Sequence, residues 1–519
     1  MSAQLERVER IIDASGAADR IEALLPSGVR PRQLRVRTLL IGMVLAMLKG
    51  RAALLTGVRE ALLELATDEQ QRLGVIDHWQ HGPHQLSYRQ LEYTYRLIVK
   101  ALAKEMPDGT PSELLSEVLD ALLEASVTVL GEPDSKSYAV DWTDQETWSR
   151  PPARKPASAG EQTPAAEDRK PTAGEHSDRA DPEAAWGRRR GDHPGQADES
   201  FFGYYLQAIT IVKDEHGPQA PELVRRMHLA SCAHDPPPAL VPALQRMHAS
   251  GIEVSDLLAD SGYAYRLAER WALPVRQLGA QLIQDLHPND RGPHGTHMGA
   301  IRHNGNLYCP ATPKPLLGLG PLPRGASTEQ TNAHDQQCAE LARYKLSPLT
   351  RHDNDGYRRV SCPAAQGKLR CPLRQASTTL PHDRPTILTP PRQPPTCCQQ
   401  QTITVPPAIN AKTTQKHDYP SREHRLSYHR RTAAERTFAT LTDRATNDLT
   451  RGWCRLIGLT PIALLTATAI IARNTRINDA FHARQTENQR RAANGLPPKQ
   501  RKRRRQTTED LINAANAPP

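Results

Sequence analysis

Apolar positions follow a helical period over the first part of the chain. Residues 36–49 form an almost unbroken apolar run, which predicts a helix buried between others. Another helix is predicted to begin after Ser87, because Ser87 and Gln90 have the spacing of a capping box. Its apolar positions fall on one stripe: Tyr88, Leu91, Tyr95, Ile98 and Leu102. Two structures fit this pattern, a DNA-binding region with a helix-turn-helix-like element and a plain helical bundle with a charged exterior.

The period changes to that of β-strands near residue 137. Apolar runs bounded by turn residues predict five strands, at 137–143, 203–212, 223–231, 254–260 and 275–286. Residues 239–249 predict a helix between the third strand and the fourth. Three strands, a helix and a further strand form the opening order of an RNase H-like α/β sheet, which is the fold class we expect here.

Two segments lack any such period. Residues 149–180 are mostly Pro, Ala, Glu, Lys and Gly, which predicts a disordered insertion. Residues 287–419 are rich in Pro, His, Asn and Gln and hold six of the eight cysteines, which predicts a long loop-rich insertion. Helices are predicted after it at 428–438 and 461–474, and the basic run 499–505 predicts a flexible tail.

Composition changes this picture only slightly. The 519 residues include 67 Lys and Arg against 57 Asp and Glu, a modest basic excess that is a weak indication of nucleic acid. The most apolar runs, 38–48 and 461–472, are shorter than the roughly 20 residues needed to cross a bilayer. Residues 1–12 lack the apolar core of a secretory signal. We therefore expect no membrane partner and a cytoplasmic protein with reduced thiols.

Three acidic residues stand on the elements that a two-metal site requires. Asp141 and Asp260 close the first and fourth predicted strands, and Glu435 follows Tyr428 and Arg431 at helical spacing. Carboxylates at the ends of adjacent strands and on a facing helix can hold two divalent metals about 4 Å apart, which is the chemistry of phosphoryl transfer. Each aspartate alone is typical of a strand-end turn, and the helical triplet alone is typical of a solvated face. The ordered trio favours the metal site.

These residues resemble the DDE transposases of bacterial insertion sequences, in the group with the signature Y-x2-R-x3-E-x6-K. The first three signature positions are matched by Tyr428, Arg431 and Glu435. The aspartates stand in the family's D-x-T and D-x-G-Y settings, as Asp141-Trp142-Thr143 and Asp260-Ser261-Gly262-Tyr263. The resemblance covers most of residues 36–480.

The resemblance implies a fold, a reaction and partners. Asp141, Asp260 and Glu435 are implied as catalytic residues that hold Mg²⁺ or Mn²⁺ in an RNase H-like domain. The implied reaction is hydrolysis at the element ends, followed by attack of the freed 3′-hydroxyl groups on target DNA. The implied partners are double-stranded DNA, as terminal inverted repeats and as target, and further copies of the chain in a homo-oligomer on that DNA. Such a protein is expected to be nucleoid-associated.

One position departs from the family pattern. The lysine that ends the signature is Thr442 here, and Arg444 stands two residues further on. In the family that lysine is associated with DNA near the cleaved end, so the DNA-binding candidates are Tyr428, Arg431 and Arg444. Two other functions therefore stay open: an RNase H-like endonuclease that cuts without joining, and a catalytically inactive copy that still binds DNA.

The cysteines of the insertion raise a separate question. The candidate ligands of a structural zinc ion are Cys309, Cys362, Cys371, Cys397 and Cys398. Four thiolates from this set are able to staple a segment that is too polar to fold alone. None of them has the C-x2-C spacing that is typical of zinc sites, so zinc-bound and metal-free cysteines are both open interpretations.

Together these patterns divide the chain into five parts. They are a helical DNA-binding region at 1–131, the first part of the catalytic domain at 132–286, the Cys/His/Pro-rich insertion at 287–419, the C-terminal helices of the catalytic domain at 420–481 and a basic flexible tail at 482–519.

Overall fold

The computed structural model describes residues 3–26, 34–52, 54–79, 82–152, 180–189, 197–323, 325–351, 353 and 355–499. The insertion predicted at 149–180 lies outside the described residues except at its two ends, and so does the basic run 499–505 except for Lys499. The described part of the chain is a mixed α/β structure, which confirms the predicted fold class at that level.

The described residues between positions 3 and 130 form helices and one pair of antiparallel strands. The elements are α1 (Ala3–Ser15), α2 (Ala17–Glu22), α3 (Val36–Leu48), α4 (Leu55–Leu63), α5 (Thr67–Arg72), β1 (Ile76–Trp79), β2 (Gly82–Gln85), α6 (Tyr88–Leu102) and α7 (Glu113–Leu130). The apolar run predicted at 36–49 is α3, and nearly all of its side chains are buried, as expected of a helix without a polar face.

The capping box predicted for α6 is confirmed. The backbone N–H of Ser87 donates to Oε1 of Gln90 at 2.7 Å, and the N–H of Gln90 donates to Oγ of Ser87 at 3.3 Å. The stripe from Leu91 to Leu102 is buried, whereas Tyr88 at the start of the helix is exposed. The helix therefore begins and faces the core as the polar and apolar pattern predicts.

The central sheet follows α7. Its elements are β3 (Ser137–Glu146), β4 (Ala185–Arg189), β5 (Glu199–Val212), β6 (Val224–Ser231), α8 (Pro236–Ala249), β7 (Asp256–Ala259), α9 (Ser261–Ala264), α10 (Ala272–Gln277) and β8 (Gln281–Gln284). β5 pairs antiparallel with β3, β4 and β6, whereas β7 runs parallel to both β3 and β8. The order across the sheet is therefore β6–β5–β3–β7–β8, with the short β4 beside the start of β5.

Two details of the sheet differ from the prediction. The fifth strand, predicted at 275–286, is divided into α10 and β8, and Gly279 between them has a φ of +82°. The apolar run is misleading because Val275 faces the core from a helix while Leu282 faces it from a strand. The strand β4 was not predicted, because only its pairing with β5 makes it extended.

The insertion is built from short elements. They are β9 (Pro293–His297), β10 (Ala300–His303), β11 (Asn306–Tyr308), α11 (Lys314–Leu317), α12 (Thr328–Arg343), β12 (Ser347–Pro348), β13 (Arg358–Ser361), α13 (Gln375–Thr378), α14 (Thr396–Gln399) and β14 (Thr402–Val405). β9 to β11 form one three-stranded sheet, and β12 to β14 form another. One small apolar cluster contains residues of both sheets, and a second contains residues of β11, α11 and α12.

Three helices complete the described chain: α15 (Arg422–Tyr428), α16 (Thr432–Leu441) and α17 (Leu459–Ala493). The helix predicted at 428–438 is thus two helices joined by a 3₁₀ turn, His429–Arg431. The helix predicted at 461–474 continues to Ala493, so residues 482–493 are helical where a flexible tail was predicted. No helix in the described part of the chain is both long and apolar enough to cross a membrane.

α17 joins the two halves of the molecule. Its first half is buried on all sides, and it contacts α3, α6 and α7 as well as β6. Residues of the N-terminal helices, of β5 and β6 and of α17 belong to one continuous apolar cluster. The region predicted at 1–131 therefore shares its core with the sheet.

Candidate active site

Asp141 on β3 and Asp260 directly after β7 lie close together where these two neighbouring strands separate. The parallel pairing of β3 and β7 ends at the pair Ala139 and Leu258. Asp141 lies two residues after Ala139, and Asp260 lies two residues after Leu258. Side chains two residues apart on a strand share a face. Ala139 and Leu258 face Ala433 and Ala434 of α16, which directs both aspartates towards that helix.

The local settings of the two aspartates differ from the prediction. Asp141 does not end β3, which continues to Glu146 paired with β5; it lies where β3 parts from β7. Asp260 follows the last residue of β7 and caps α9, with its Oδ1 accepting the N–H of Gly262 at 2.8 Å. Both aspartates therefore lie where β3 and β7 separate.

Gly262 and Tyr263 connect the two aspartate motifs. A side chain at Gly262 would meet the Trp142 ring, since a Cβ built there lies 2.3 Å from Cη2 of Trp142. The ring of Tyr263 is fully buried, with its centroid 4.8 Å from that of Trp142. The residues next to the aspartates therefore hold the ends of β3 and β7 together through close packing.

Arg431 bridges two of the three carboxylates. Its Nη1 lies 3.3 Å from Oδ2 of Asp141, and its Nη2 donates to Oε1 of Glu435. The side chain of Asp141 is 16% exposed and that of Arg431 is 14%, whereas that of Glu435 is 54% exposed. The site is thus closed on the sheet side and open to solvent at Glu435.

The carboxylates form a cluster of like charge. The pKa of Asp141 is raised to about 7, mainly by burial and also by the nearby carboxylates of Asp260 and Glu435, although Arg431 opposes the rise. The pKa of a carboxyl rises in this way when its charged form loses water and meets other negative charges. The site therefore has more negative charge than Arg431 alone compensates, which favours binding of a cation.

Tyr428 holds Arg431 from the other side. The guanidinium carbon of Arg431 lies 5.5 Å from the centre of the Tyr428 ring, and the ring of His424 stacks on Tyr428 at 5.6 Å. The backbone stays in the right-handed helical region from Tyr428 through Thr432 in spite of the 3₁₀ turn. Tyr428, Arg431 and Glu435 consequently share one face, as their spacing predicts.

Magnesium is the metal that the donor set suits. Three carboxylates supply the hard oxygen ligands that Mg²⁺ prefers. Among the described residues, however, no group of three or more His, Cys, Asp or Glu side chains is arranged as it stands to hold a metal ion. Arg431 occupies the space between Asp141 and Glu435, so metal binding requires its side chain to move off Asp141.

A buried ion pair that the sequence analysis missed anchors this helix to the sheet. Nη2 of Arg430 donates to Oδ2 of Asp256 at 2.8 Å, and its Nη1 donates to the carbonyl of Lys213 at 3.1 Å. The side chains of Arg430 and Asp256 are 6% and 3% exposed. No motif marks these residues, because a buried arginine and a solvated one look alike in sequence.

The remaining predicted residues fall into two groups. Arg444 is exposed in the turn after α16, and Thr442 ends that helix. Cys309, Cys362, Cys371 and Cys398 line one small cavity in the insertion, and Cys397 is buried beside Cys398 without lining it. The structure thus brings together four of the five cysteines predicted as zinc ligands.

The chain was compared with protein families, curated proteins and solved structures. No protein-family model, curated protein or solved structure matches the chain. The geometry of the site is therefore the basis for its functional assignment.

Proposed function

We propose that the protein is a DDE-type transposase, which cleaves DNA at the ends of a mobile element and joins the ends to target DNA. One observation carries the proposal. Asp141 on β3, Asp260 directly after the parallel strand β7, and Glu435 on the helix that covers them lie close together, and Arg431 links Asp141 to Glu435. Acidic residues on these three elements are what metal-dependent phosphoryl transfer needs.

The topology of the sheet supports the same assignment. In the order β6–β5–β3–β7–β8, the neighbours β6, β5 and β3 are antiparallel, and β7 and β8 run parallel to β3. This is the strand order of an RNase H-like fold, with α8 as the connection between β6 and β7. We propose that residues 132–286 and 420–481 form such a domain.

Each residue of the site has a distinct role in the proposed reaction. Asp141, Asp260 and Glu435 would hold divalent cations, which when bound supply activation of the attacking oxygen and stabilisation of the leaving oxygen. Arg431 would release Asp141 and bind a phosphate oxygen instead, because its two-armed guanidinium suits phosphate as well as carboxylate. The face of Tyr428 would keep the guanidinium in line during that exchange.

The partners of the proposed reaction are double-stranded DNA and further copies of the chain. The terminal repeats and the target supply the DNA, and a homo-oligomer is needed to hold two ends together. The exposed Arg444 is proposed to contact DNA in place of the lysine missing at Thr442. The N-terminal helices are proposed to bind the element ends, and a cytoplasmic, nucleoid-associated location follows from these partners.

End cleavage by the purified full chain tests the proposal. With a duplex that carries the inverted repeat flanking the reading frame, we expect nicking at the repeat in Mg²⁺ or Mn²⁺. We expect Asp141→Asn, Asp260→Asn and Glu435→Gln each to abolish it. Glu340→Gln, an exposed change on α12, is the matched control and keeps full activity. Undiminished cleavage by any of the three site variants overturns the assignment.

A second substrate separates transposition from its rivals. With pre-cleaved ends that carry free 3′-hydroxyl groups, a transposase yields joined products in target DNA. Cleavage without joining identifies an RNase H-like endonuclease, and a footprint on the repeat without cleavage identifies an inactive DNA-binding copy.

A further inference from the structure

Four cysteines from separate segments of the insertion converge on one cavity. Cys309 follows β11, Cys362 follows β13, Cys371 lies before α13, and Cys398 belongs to α14. All four are buried, and the cavity between them has a volume of about 10 Å³. That volume is room for a single water-sized particle. A cavity lined by four thiols and of this size suits one metal ion.

Backbone N–H groups are aimed at the sulfurs of two of these cysteines. The N–H of Ala311 donates to the sulfur of Cys309, and the N–H of Leu373 donates to the sulfur of Cys371. In both cases the donor is two residues after a cysteine, and a proline stands between them. Burial by itself opposes a thiolate. Donors aimed at buried sulfurs are therefore most useful when a cation balances the charge.

The cavity lies where two small cores meet. Cys309, Cys362 and Cys371 belong to one cluster of eleven buried apolar residues, and Cys398 belongs to another of eight, among the described residues. Cores of this size supply little stabilisation, and small scaffolds are commonly stapled by metals or disulfides. A metal bound by all four cysteines would tie the two sheets of the insertion together.

We propose that Cys309, Cys362, Cys371 and Cys398 bind one structural Zn²⁺ ion. On binding, each thiol gives its proton to solvent and coordinates zinc as a thiolate, which is a tetrahedral four-sulfur site. The four side chains reach the ligand positions by rotating towards the cavity, since they are not arranged as ligands as they stand. Arg374, which also lines the cavity, offsets part of the remaining negative charge.

Cys397 is excluded from the ligand set in spite of its position in the chain. Its thiol hydrogen-bonds to the sulfur of Cys398 and does not line the cavity. Cys338 lies elsewhere, on α12, with its sulfur 3.7 Å from Nδ1 of His334. These two cysteines provide matched controls, because Ser at either position removes a thiol from the insertion without removing a proposed ligand.

Metal analysis of the full chain tests this assignment independently of any activity on DNA. We expect one zinc per chain by native mass spectrometry after purification without chelator. Cys338→Ser and Cys397→Ser should keep it, and Cys362→Ser and Cys398→Ser should lower the zinc content at least tenfold. A zinc-free parent overturns the proposal, as do full occupancy in the ligand variants and an equal loss in Cys397→Ser.

A measurement on the parent protein covers the case in which the ligand variants do not fold. Replacing the metal with Co²⁺ should produce the visible absorption bands of a tetrahedral thiolate site, and a mercurial reagent should release one metal ion as the thiols react. A parent whose mass under non-reducing conditions shows disulfides among these cysteines contradicts the proposal.

Discussion

At the scale of single residues, Arg431 is the charged group that lies between two of the three carboxylates of the site. It contacts Asp141 and Glu435 at once, one with each arm of its guanidinium. Its Nε is buried and has no hydrogen-bond partner among the described residues. The guanidinium of Arg431 already spans two carboxylates, and the same donor geometry suits a phosphate group.

Replacing Arg431 with lysine tests this role. Lys keeps the charge but offers one point donor where Arg spans two groups. Losing one hydrogen bond to a charged group costs about 1.5 to 3 kcal/mol. We therefore expect roughly a 10- to 100-fold lower rate of end cleavage at an unchanged melting temperature. Arg422→Lys, an exposed change at the start of α15, is the control. Parent-like cleavage by Arg431→Lys would rule out a bridging role.

At the scale of elements, the position of α16 depends on the buried pair between Arg430 and Asp256. Arg430 precedes α16, and Asp256 begins β7, so their ion pair joins the helix of Glu435 to the strand that leads to Asp260. Lys416 also donates to Asp256, at 2.9 Å, and it keeps a second carboxylate partner in Glu215. The pair orients the site, although it touches none of its three carboxylates.

Replacing only Arg430 should lower the free energy of unfolding more than replacing both Arg430 and Asp256. A buried charge left without any partner costs about 3 to 5 kcal/mol, and because Asp256 keeps Lys416 in Arg430→Met the loss should be nearer about 1 to 3 kcal/mol. We expect Arg430→Met to lower the free energy of unfolding by that amount, and Asp256→Leu in the same chain to restore part of it. Urea denaturation of both variants measures the difference. Arg484→Met, on the exposed part of α17, should change nothing; additive losses in the double variant would contradict the coupling.

The whole molecule is held together across the boundary that the sequence predicts near residue 131. Nδ2 of Asn474 in α17 donates to Oγ of Ser126 in α7 at 3.0 Å and to the carbonyl of Val224 in β6 at 2.8 Å. All three residues are buried. Buried polar groups need such partners, so α7, α17 and the sheet depend on one another.

Deletion of residues 1–131 should therefore prevent the rest of the chain from folding. It would expose the apolar first half of α17, and large exposed apolar surfaces lead to aggregation. We expect the truncated protein to be insoluble. A chain that ends at residue 499 keeps every described contact and should elute as the parent does in size-exclusion chromatography. A soluble, cooperatively melting fragment 132–519 would disprove the shared core.

Patterns between near neighbours in the chain predicted most elements of the fold. The helices α3 and α6, and the strands β3, β5, β6 and β7, appear within a few residues of their predicted bounds, because side-chain period and capping are local properties. The fifth strand was wrong in part, and the length of α17 was underestimated. In both cases contacts with distant residues decide which local conformation is stable.

The sequence alone determined the alternation of strands and helices and the spacing that puts Tyr428, Arg431 and Glu435 on one face. Only the tertiary structure decided that Asp141 and Asp260 lie together before that face, that Arg430 is buried against Asp256, and that four cysteines surround one cavity. The physical reason is the distance along the chain over which each effect acts. Backbone preference and side-chain period act over a few residues, whereas convergence depends on pairing and packing between segments that are distant in the chain.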